Sequence, residues 1–448
     1  MPFARGTGYD LLVATEFELR PARRGSRRRW APIAVLFIVL LGLAAVTYLG
    51  GPRRTVWWIG RVVVQPTRPP EPAETPGERW LQDLEYLRTN LYRLHANAFH
   101  TTPRDDFERA FEEARDRLSN ATDAEAWLEV MLLLTLVGDG HTATWSHLDS
   151  WPNYPLRIAL VGGSWSVIGA GLEHRDLLAT EVIALDDTPI GDAVERLRQY
   201  VSADSEADHD ARVARLLTSG ELTHAAGLQS TPEMGRFTLR LPDGTFIDRE
   251  LEATQPGSPM VLVTSNLLSS QHPQIDHWVE WMPDLGAIYL RYRRCRDRNG
   301  FGEVSGRALD LLGAHPEAPL VIDLRGNGGG DSSVIAPLLR GLRERAAGER
   351  TVALIDVGTA SSATRNALEL RGLGATLVGE PTADALAGWG EIRDFTLPNS
   401  GIRVWVSTFS FGGDPDPVEP DMRVAPTATA WLAGEDPVLA AALRAPLR

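Results

Sequence analysis

Three short loops carry the residue types that hydrolytic chemistry needs. GTASSA, Gly358 to Ala363, stands between an apolar strand candidate, TVALIDV, and a helix candidate. A serine at a helix N-terminus sits where the dipole favours an alkoxide or a tetrahedral oxyanion, although a Ser or Thr there can equally be an ordinary N-cap. GDGHT contains His141, whose side chain titrates near neutrality without tuning, as a general base requires. The chain has ten histidines, so one in a loop means little alone. RGNGGG, Arg325 to Gly330, follows the strand candidate PLVIDLR, and successive glycines there let backbone N–H groups point at a developing negative charge. It is not a phosphate-binding Walker loop, which needs a following Gly-Lys, because all 45 basic residues are Arg.

The elements that must position these loops follow from hydrophobic periodicity. Trp80, Leu84, Leu87, Leu91 and Leu94 form one helical stripe, and Phe107, Phe111, Ala114 and Leu118 a second. A third helix starts at Thr122 with Glu125 as its capping-box partner and stops at Gly138-Asp139-Gly140. Residues 151–265 read as β-rich, with WSVIGA, ATEVIALDD and GRFTLRL separated by turn formers. Within them, LLATEVIALDDTPIGDAVERL resembles the carboxylate-binding-loop-to-helix half of a PDZ domain. Beyond residue 285, the strand candidates AIYLRY, PLVIDLR, TVALIDV, ATLVGE, IRDFTL and IRVWVST occur with helical candidates at 332–346 and 361–371. That alternation implies an α/β layer with ligand sites where strands end and helices begin.

The remaining composition bounds compartment and partners. With 448 residues, two to three domains are expected at about 150 residues each. The net charge of -14 argues against a nucleic-acid partner, whose binder is basic. A single cysteine, Cys295, excludes an internal disulfide and a cysteine-based zinc cluster. Residues 31–49 carry no charge, close to the length of a membrane-spanning helix. Six Arg at 20–29 against three at 50–64 place the N-terminus in the cytoplasm, and Trp57 and Trp58 fit an interfacial belt. A cleaved signal peptide, with its site near Ala44 and Ala45, is the competing reading. The expected organisation is therefore a cytoplasmic tail (1–30), an anchor through the lipid bilayer (31–50) and a Pro-rich tether (51–79). A helical bundle (80–150), a β-rich, PDZ-like region (151–265) and an α/β core (266–448) follow.

Taken in order, LHANAF with GDGHT, VIDLRGNGGGDS, GTASSA, ATLVGEPT, LPNSGIRVWVST, VEPDMRV and GEDPVLAAAL resemble one family over most of residues 80–448. It comprises the serine peptidases that include the C-terminal processing peptidases and the tricorn core protease. The resemblance implies a crotonase/ClpP-like α/β core and Ser361 as nucleophile. Ser362 and either Gly328 or Gly329 would supply the oxyanion-hole amides. Processing peptidases use a lysine that here would fall near Asp384 to Leu386, and the lysine-free composition excludes a Ser–Lys dyad. The tricorn-like branch implies His141 as base and Glu419 as the carboxylate that orients it, with Asp421, Asp416 and Asp414 as neighbours in sequence. Thr364 departs from the family, many members of which have an acidic residue there. Asp323, Arg325 and Glu380 read as structural.

The expectation is a membrane-anchored, extracytoplasmic serine peptidase acting on peptides or proteins, with no metal or organic cofactor. The resemblance extends to retinoid-carrying proteins of the eye, so a non-catalytic ligand- or peptide-binding protein on the same scaffold is the alternative. A hydrolase of other esters or amides shares the same chemistry.

Overall fold

Capping and periodicity shape the N-terminal helices. The computed structural model describes residues 64–118, 121–145, 151–385, 388–412 and 416–446. Helix α1 (Pro76–Leu94) begins at Thr75, whose side chain accepts the Glu78 amide, with Pro76 in the first turn, where a missing N–H costs nothing. It buries the stripe from Trp80 to Leu94. Helix α2 (Arg104–Leu118) buries Phe107, Phe111, Ala114 and Leu118. Helix α3 (Asp123–Thr135) carries the Thr122–Glu125 capping box in full. The end of the Pro-rich stretch does not hang free as a tether. Asn90 Oδ1 accepts the Thr67 amide at 2.8 Å and Tyr86 donates to the Thr67 carbonyl at 2.6 Å, which lays the segment along α1.

After the two-residue strand β1 (Ala143–Thr144) comes an antiparallel sheet of β2 (Leu156–Val161), β3 (Ser164–Gly171), β4 (Glu181–Leu185), β5 (Met234–Arg240) and β6 (Phe246–Glu252), paired in that order. Helices α4 (Ile190–Arg198) and α5 (Glu206–Leu216), followed by a short helical turn at Gly220–Ala225, interrupt it between β4 and β5, and α5 packs on β2.

The core sheet contains β7 (His277–Met282), β8 (Ala287–Tyr292), β9 (Leu320–Asp323), β10 (Thr351–Ile355), β11 (Thr376–Gly379) and, beyond a hairpin of β12 (Gly388–Thr396) and β13 (Arg403–Phe411), β14 (Met422–Arg423). Their spatial order is β14-β11-β10-β9-β8-β7, parallel throughout except β7 against β8. Alternate residues bury on opposite faces. Ile288, Leu290, Ile322 and Ala353 meet α6 (Arg298–Ala314), α7 (Ala336–Glu344) and α8 (Ser362–Arg371). Tyr289, Val321, Val352 and Leu354 meet the C-terminal helix α9 (Pro437–Ala442). Burial on both faces explains why these strands read as continuous apolar runs.

Two expected core strands lie elsewhere. IRDFTL and IRVWVST fall in β12 (Gly388–Thr396) and β13 (Arg403–Phe411), an antiparallel hairpin outside the core sheet. No helix separates them, and a short turn can join only antiparallel neighbours. Strand β1 adds to this hairpin through Ala143–Trp405 and Thr144–Val404. The buried Asp83 of α1 caps its turn, accepting the Asn399 and Ser400 amides at 2.8 and 2.7 Å. The expected tail and bilayer span, 1–50, lie outside the described residues, among which no helix is long and apolar enough to cross a membrane.

Candidate active site

The GDGHT loop is built on a buried carboxylate. Asp139 receives the His141 amide at 2.8 Å, the Thr142 hydroxyl at 2.5 Å and His95 Nε2 at 3.1 Å. Nδ1 of His95 accepts the Asn97 amide, which fixes that ring's proton on Nε2. Burial works to raise the Asp139 carboxyl, but these bonds outweigh it and hold the group down at about 2. Thr142 Oγ1 also accepts the Ser407 amide of β13 at 3.1 Å, so the loop is stitched to the hairpin as well. His95 belongs to LHANAF and Asp139 to GDGHT, so a contact joins two stretches that the sequence shows only as neighbours in order.

The imidazole of His141 is oriented from the middle region. Asp204, which precedes α5, faces His141 Nδ1 at 3.1 Å with one carboxylate oxygen and accepts the Gly140 amide at 2.7 Å with the other. A Cβ on Gly140 would lie 2.5 Å from the Asp204 carboxyl carbon, so this approach requires glycine. Arg212 of α5 donates to the Gly140 carbonyl at 2.6 Å and pairs with Asp208 at 2.6 Å, clamping the same loop. On the other side of the ring, Nε2 lies 3.9 Å from Asp384 Oδ2. Burial disfavours charge on His141, yet the bond to Asp204 and the fields of Asp204, Asp384 and Asp139 prevail and push the imidazole up to about 9.

Ser361 stands at the start of α8 with φ 55° and ψ -119°, a left-handed conformation that a non-glycine residue adopts only under constraint. Its amide donates to Asp384 Oδ2 at 2.5 Å, and Thr364 donates its hydroxyl to the other oxygen of that carboxylate. Thr364, the departure from the family pattern, thus supplies a donor to a carboxylate arriving from another loop. The RGNGGG loop packs directly on the turn: a Cβ on Gly329 would lie 2.8 Å from Ser361 Cβ and 2.9 Å from the Ser362 nitrogen. The Gly329 amide is already taken by Asn327 Oδ1 at 3.0 Å, whereas those of Gly328 and Ser362 find no acceptor among the described residues. Ser361 Oγ makes no hydrogen bond there either, to His141 or to any other group. A cleft of about 560 Å³ opens at the carboxyl ends of β8, β9 and β10, lined among others by Leu262, Arg293, Gly326, Asp356 and Trp431.

The structure therefore brings His141, Ser361, Ser362, Gly328 and Gly329 to one end of the core and leaves Glu419 aside. Glu419 is exposed, with its carboxylate 3.9 Å from Arg423 and its carbonyl accepting from Arg371. Asp421 accepts the Leu377 amide, and Asp414 lies outside the described residues. The residues missed in the sequence are Asp204, Asp384 and His95. Asp204 leads an N-cap motif (Ser205 with Asp208), but nothing in that motif says which distant loop it meets. Asp384 was named only as the place where a lysine is missing. Asp139, His141 and Asp204 have donor atoms within 4.8 Å of one another, the reach of a metal ion. Their oxygens and Nδ1 are spent on one another, on Thr142 and on the Gly140 amide, so the arrangement works as a hydrogen-bond network.

Asp323 and Arg325 fit the structural role expected of them. Arg325 makes two bonds to Asp323 and two to Asp436, the residue that also caps α9.

No protein-family model matches the chain. No curated protein sequence matches it either. Among solved structures, mature CPAF complexed with lactacystin is similar with a TM-score of 0.57 at 14% identity, covering 81% of this chain and 96% of that one. A second structure of mature CPAF gives 0.53 at 13%, covering 81% and 95%. The photosystem II D1 C-terminal processing protease gives 0.37 at 14%, covering 79% and 94%. At these identities the likeness to CPAF concerns the backbone: the chain has the same kind of mixed α/β fold, with a helical N-terminal part leading into β-sheets.

Proposed function

We propose that this protein is a serine peptidase that hydrolyses peptide bonds through an acyl-enzyme on Ser361. The observation that carries the reading is a convergence. The Ser361 amide and His141 Nε2, from opposite ends of the folded chain, lie 2.5 and 3.9 Å from the same Asp384 oxygen. In attack, Ser361 Oγ bonds to the substrate carbonyl carbon while its proton passes to Nε2. The same proton then leaves with the amine as the C–N bond breaks, and water repeats the cycle on the acyl group. Asp204, in the place assigned to Glu419 from sequence, holds Nδ1 and stabilises the imidazolium. The Gly328 and Ser362 amides are the donors left open for the oxyanion, each worth about 3–4 kcal/mol in the transition state.

The resting site favours the charged imidazole, so only a minority of molecules hold a free base at pH 7. The reading extends to an anchor through residues 31–50 with the catalytic part outside the cell membrane, supported by the uncharged run and its flanking arginines.

Reaction of the full-length protein with a fluorophosphonate probe, followed by mass spectrometry, tests the chemistry. Labelling of Ser361 that His141→Ala abolishes supports it. A folded protein that stays unlabelled from pH 7 to 10 points instead to a binding scaffold.

A further inference from the structure

Asp384 occupies the stretch in which the processing peptidases have their lysine, so a carboxylate stands where that group would be a base. The residue is 4% exposed and belongs to a loop held from three sides. Thr382 donates its hydroxyl to the Asp384 carbonyl at 2.8 Å and accepts the Val418 amide at 3.0 Å. The Ala383 amide binds the Thr359 carbonyl at 3.0 Å, and Ser205, the cap of α5, donates to the Ala383 carbonyl at 2.6 Å. A carboxylate fixed this firmly is preorganised toward whatever it faces. It faces the Ser361 amide, the Thr364 hydroxyl and the far nitrogen of His141.

We infer that Asp384 is a positioning residue for the Ser361–His141 pair: one carboxylate pins the strained backbone of the nucleophile and, through its charge beside Nε2, sets the pH at which the imidazole becomes a base. Resting on the peptidase reading only for its catalytic consequence, the inference has a structural part that stands without it. The φ of 55° at Ser361 needs an anchor, and the Ser361 N–H has one acceptor, Asp384 Oδ2. Thr364 completes the design, because a hydroxyl donates to Asp384 where an acidic residue at 364 would repel it. The ionisable groups around His141 are Asp204 at Nδ1, Asp384 at Nε2, Asp139 below the loop with His95 behind it, and Arg212 with Asp208 on the carbonyl side of Gly140. Arg212 is engaged by Asp208, so carboxylates dominate the field at the ring, and removing one of the two flanking it lowers the pH at which its proton leaves.

The test uses the full-length protein and its Asp384→Asn and Asp384→Glu variants. The His141 ring is titrated by NMR with labelled histidine and assigned by comparison with His141→Ala, in parallel with the pH profile of fluorophosphonate labelling. In Asp384→Asn the His141 midpoint is expected to fall by about one pH unit or more. The alkaline labelling plateau should drop about tenfold, and Asp384→Glu should restore the midpoint toward the parent. An unchanged midpoint in Asp384→Asn, or an unchanged plateau, overturns the inference. If no variant labels at all, the peptidase reading fails while the NMR midpoint still decides the charge role of Asp384. Should Asp384→Asn not fold, Thr364→Val removes one anchor of the same carboxylate and is expected to cut the plateau severalfold. A plateau equal to the parent's then overturns the inference.

Discussion

Two charge networks flank the strand ends of the core, and they are built to opposite standards. In the first, Arg325 spreads four hydrogen bonds over Asp323 and Asp436, while Arg291 and Tyr289 add to Asp323, which has no exposed surface. Burial pushes the Asp323 carboxyl up, but the two guanidinium groups overwhelm that and hold it far below the usual carboxylate range. In the second, His141 and Asp204 remain partly exposed, and Ser361 Oγ and the Gly328 and Ser362 amides are left unspent. Saturation marks a group that holds the fold, and unspent donors beside a tunable charge mark one that can act on a ligand. Asp323 ends strand β9 and His141 sits in a loop, yet both adjoin glycine-rich turns, and it is saturation that sets the two networks apart.

That contrast can be broken by substitution. The largest effect is expected for Asp204→Asn, which keeps the shape and loses the charge at Nδ1. Labelling of Ser361 at pH 7.5 should fall about 10³–10⁴-fold, with a loss of stability confined to the pH range in which His141 is charged. Arg325→Met should do the reverse. It strips Asp436 of its ion-pair partner and leaves the buried Asp323 only Arg291 and Tyr289, and should cost about 3–5 kcal/mol in a urea titration, enough to unfold a marginal protein. A similar activity loss in both, or neither, would erase the distinction.

The pH dependence is smaller but has a definite sign. His141 is raised from its ordinary value of 6.5 to about 9 in the fold. Its contribution to stability is therefore fully present below about 6.5 and is lost as the pH climbs through about 9. Relative to His141→Ala, the parent should lose up to about 3 kcal/mol between pH 6.5 and 9.5 while Ser361 labelling rises over the same range. Melting curves and labelling rates taken together check both halves. The smallest effect is expected for Glu419→Gln, a change of less than about twofold in labelling, since its carboxylate is exposed beside Arg423 and surface pairs are worth about 0–1 kcal/mol. A hundredfold loss there would return the orienting role to Glu419.

Local physics made much of this legible in the sequence. The Thr122–Glu125 cap, the stripe from Trp80 to Leu94 and the apolar runs of β8 to β11 depend on neighbours a few residues away. The placement of Ser361 at a strand-to-helix junction is of the same kind. The partners of His141 are not. Asp204 lies 63 residues along the chain and Asp384 much further, and no periodicity encodes which loop meets which. The hairpin of β12 and β13 was visible as two strands, but its departure from the core sheet depends on β1 and on Asp83, a buried polar residue in an otherwise ordinary amphipathic stripe. Glu419 comes from the resemblance alone, which fixes a place in the chain and says nothing about where the side chain points.

Asp83 has a consequence for the time course of synthesis. It caps a turn 316 residues downstream, and Arg325 waits 111 residues for Asp436. The segment holding His141 leaves the ribosome long before Ser361, and the clamp of Arg325 closes only once Asp436 has emerged. Contacts of such sequence separation form late. A growing chain therefore carries His141 for 220 residues before Ser361 follows, and the candidate site cannot assemble in the meantime.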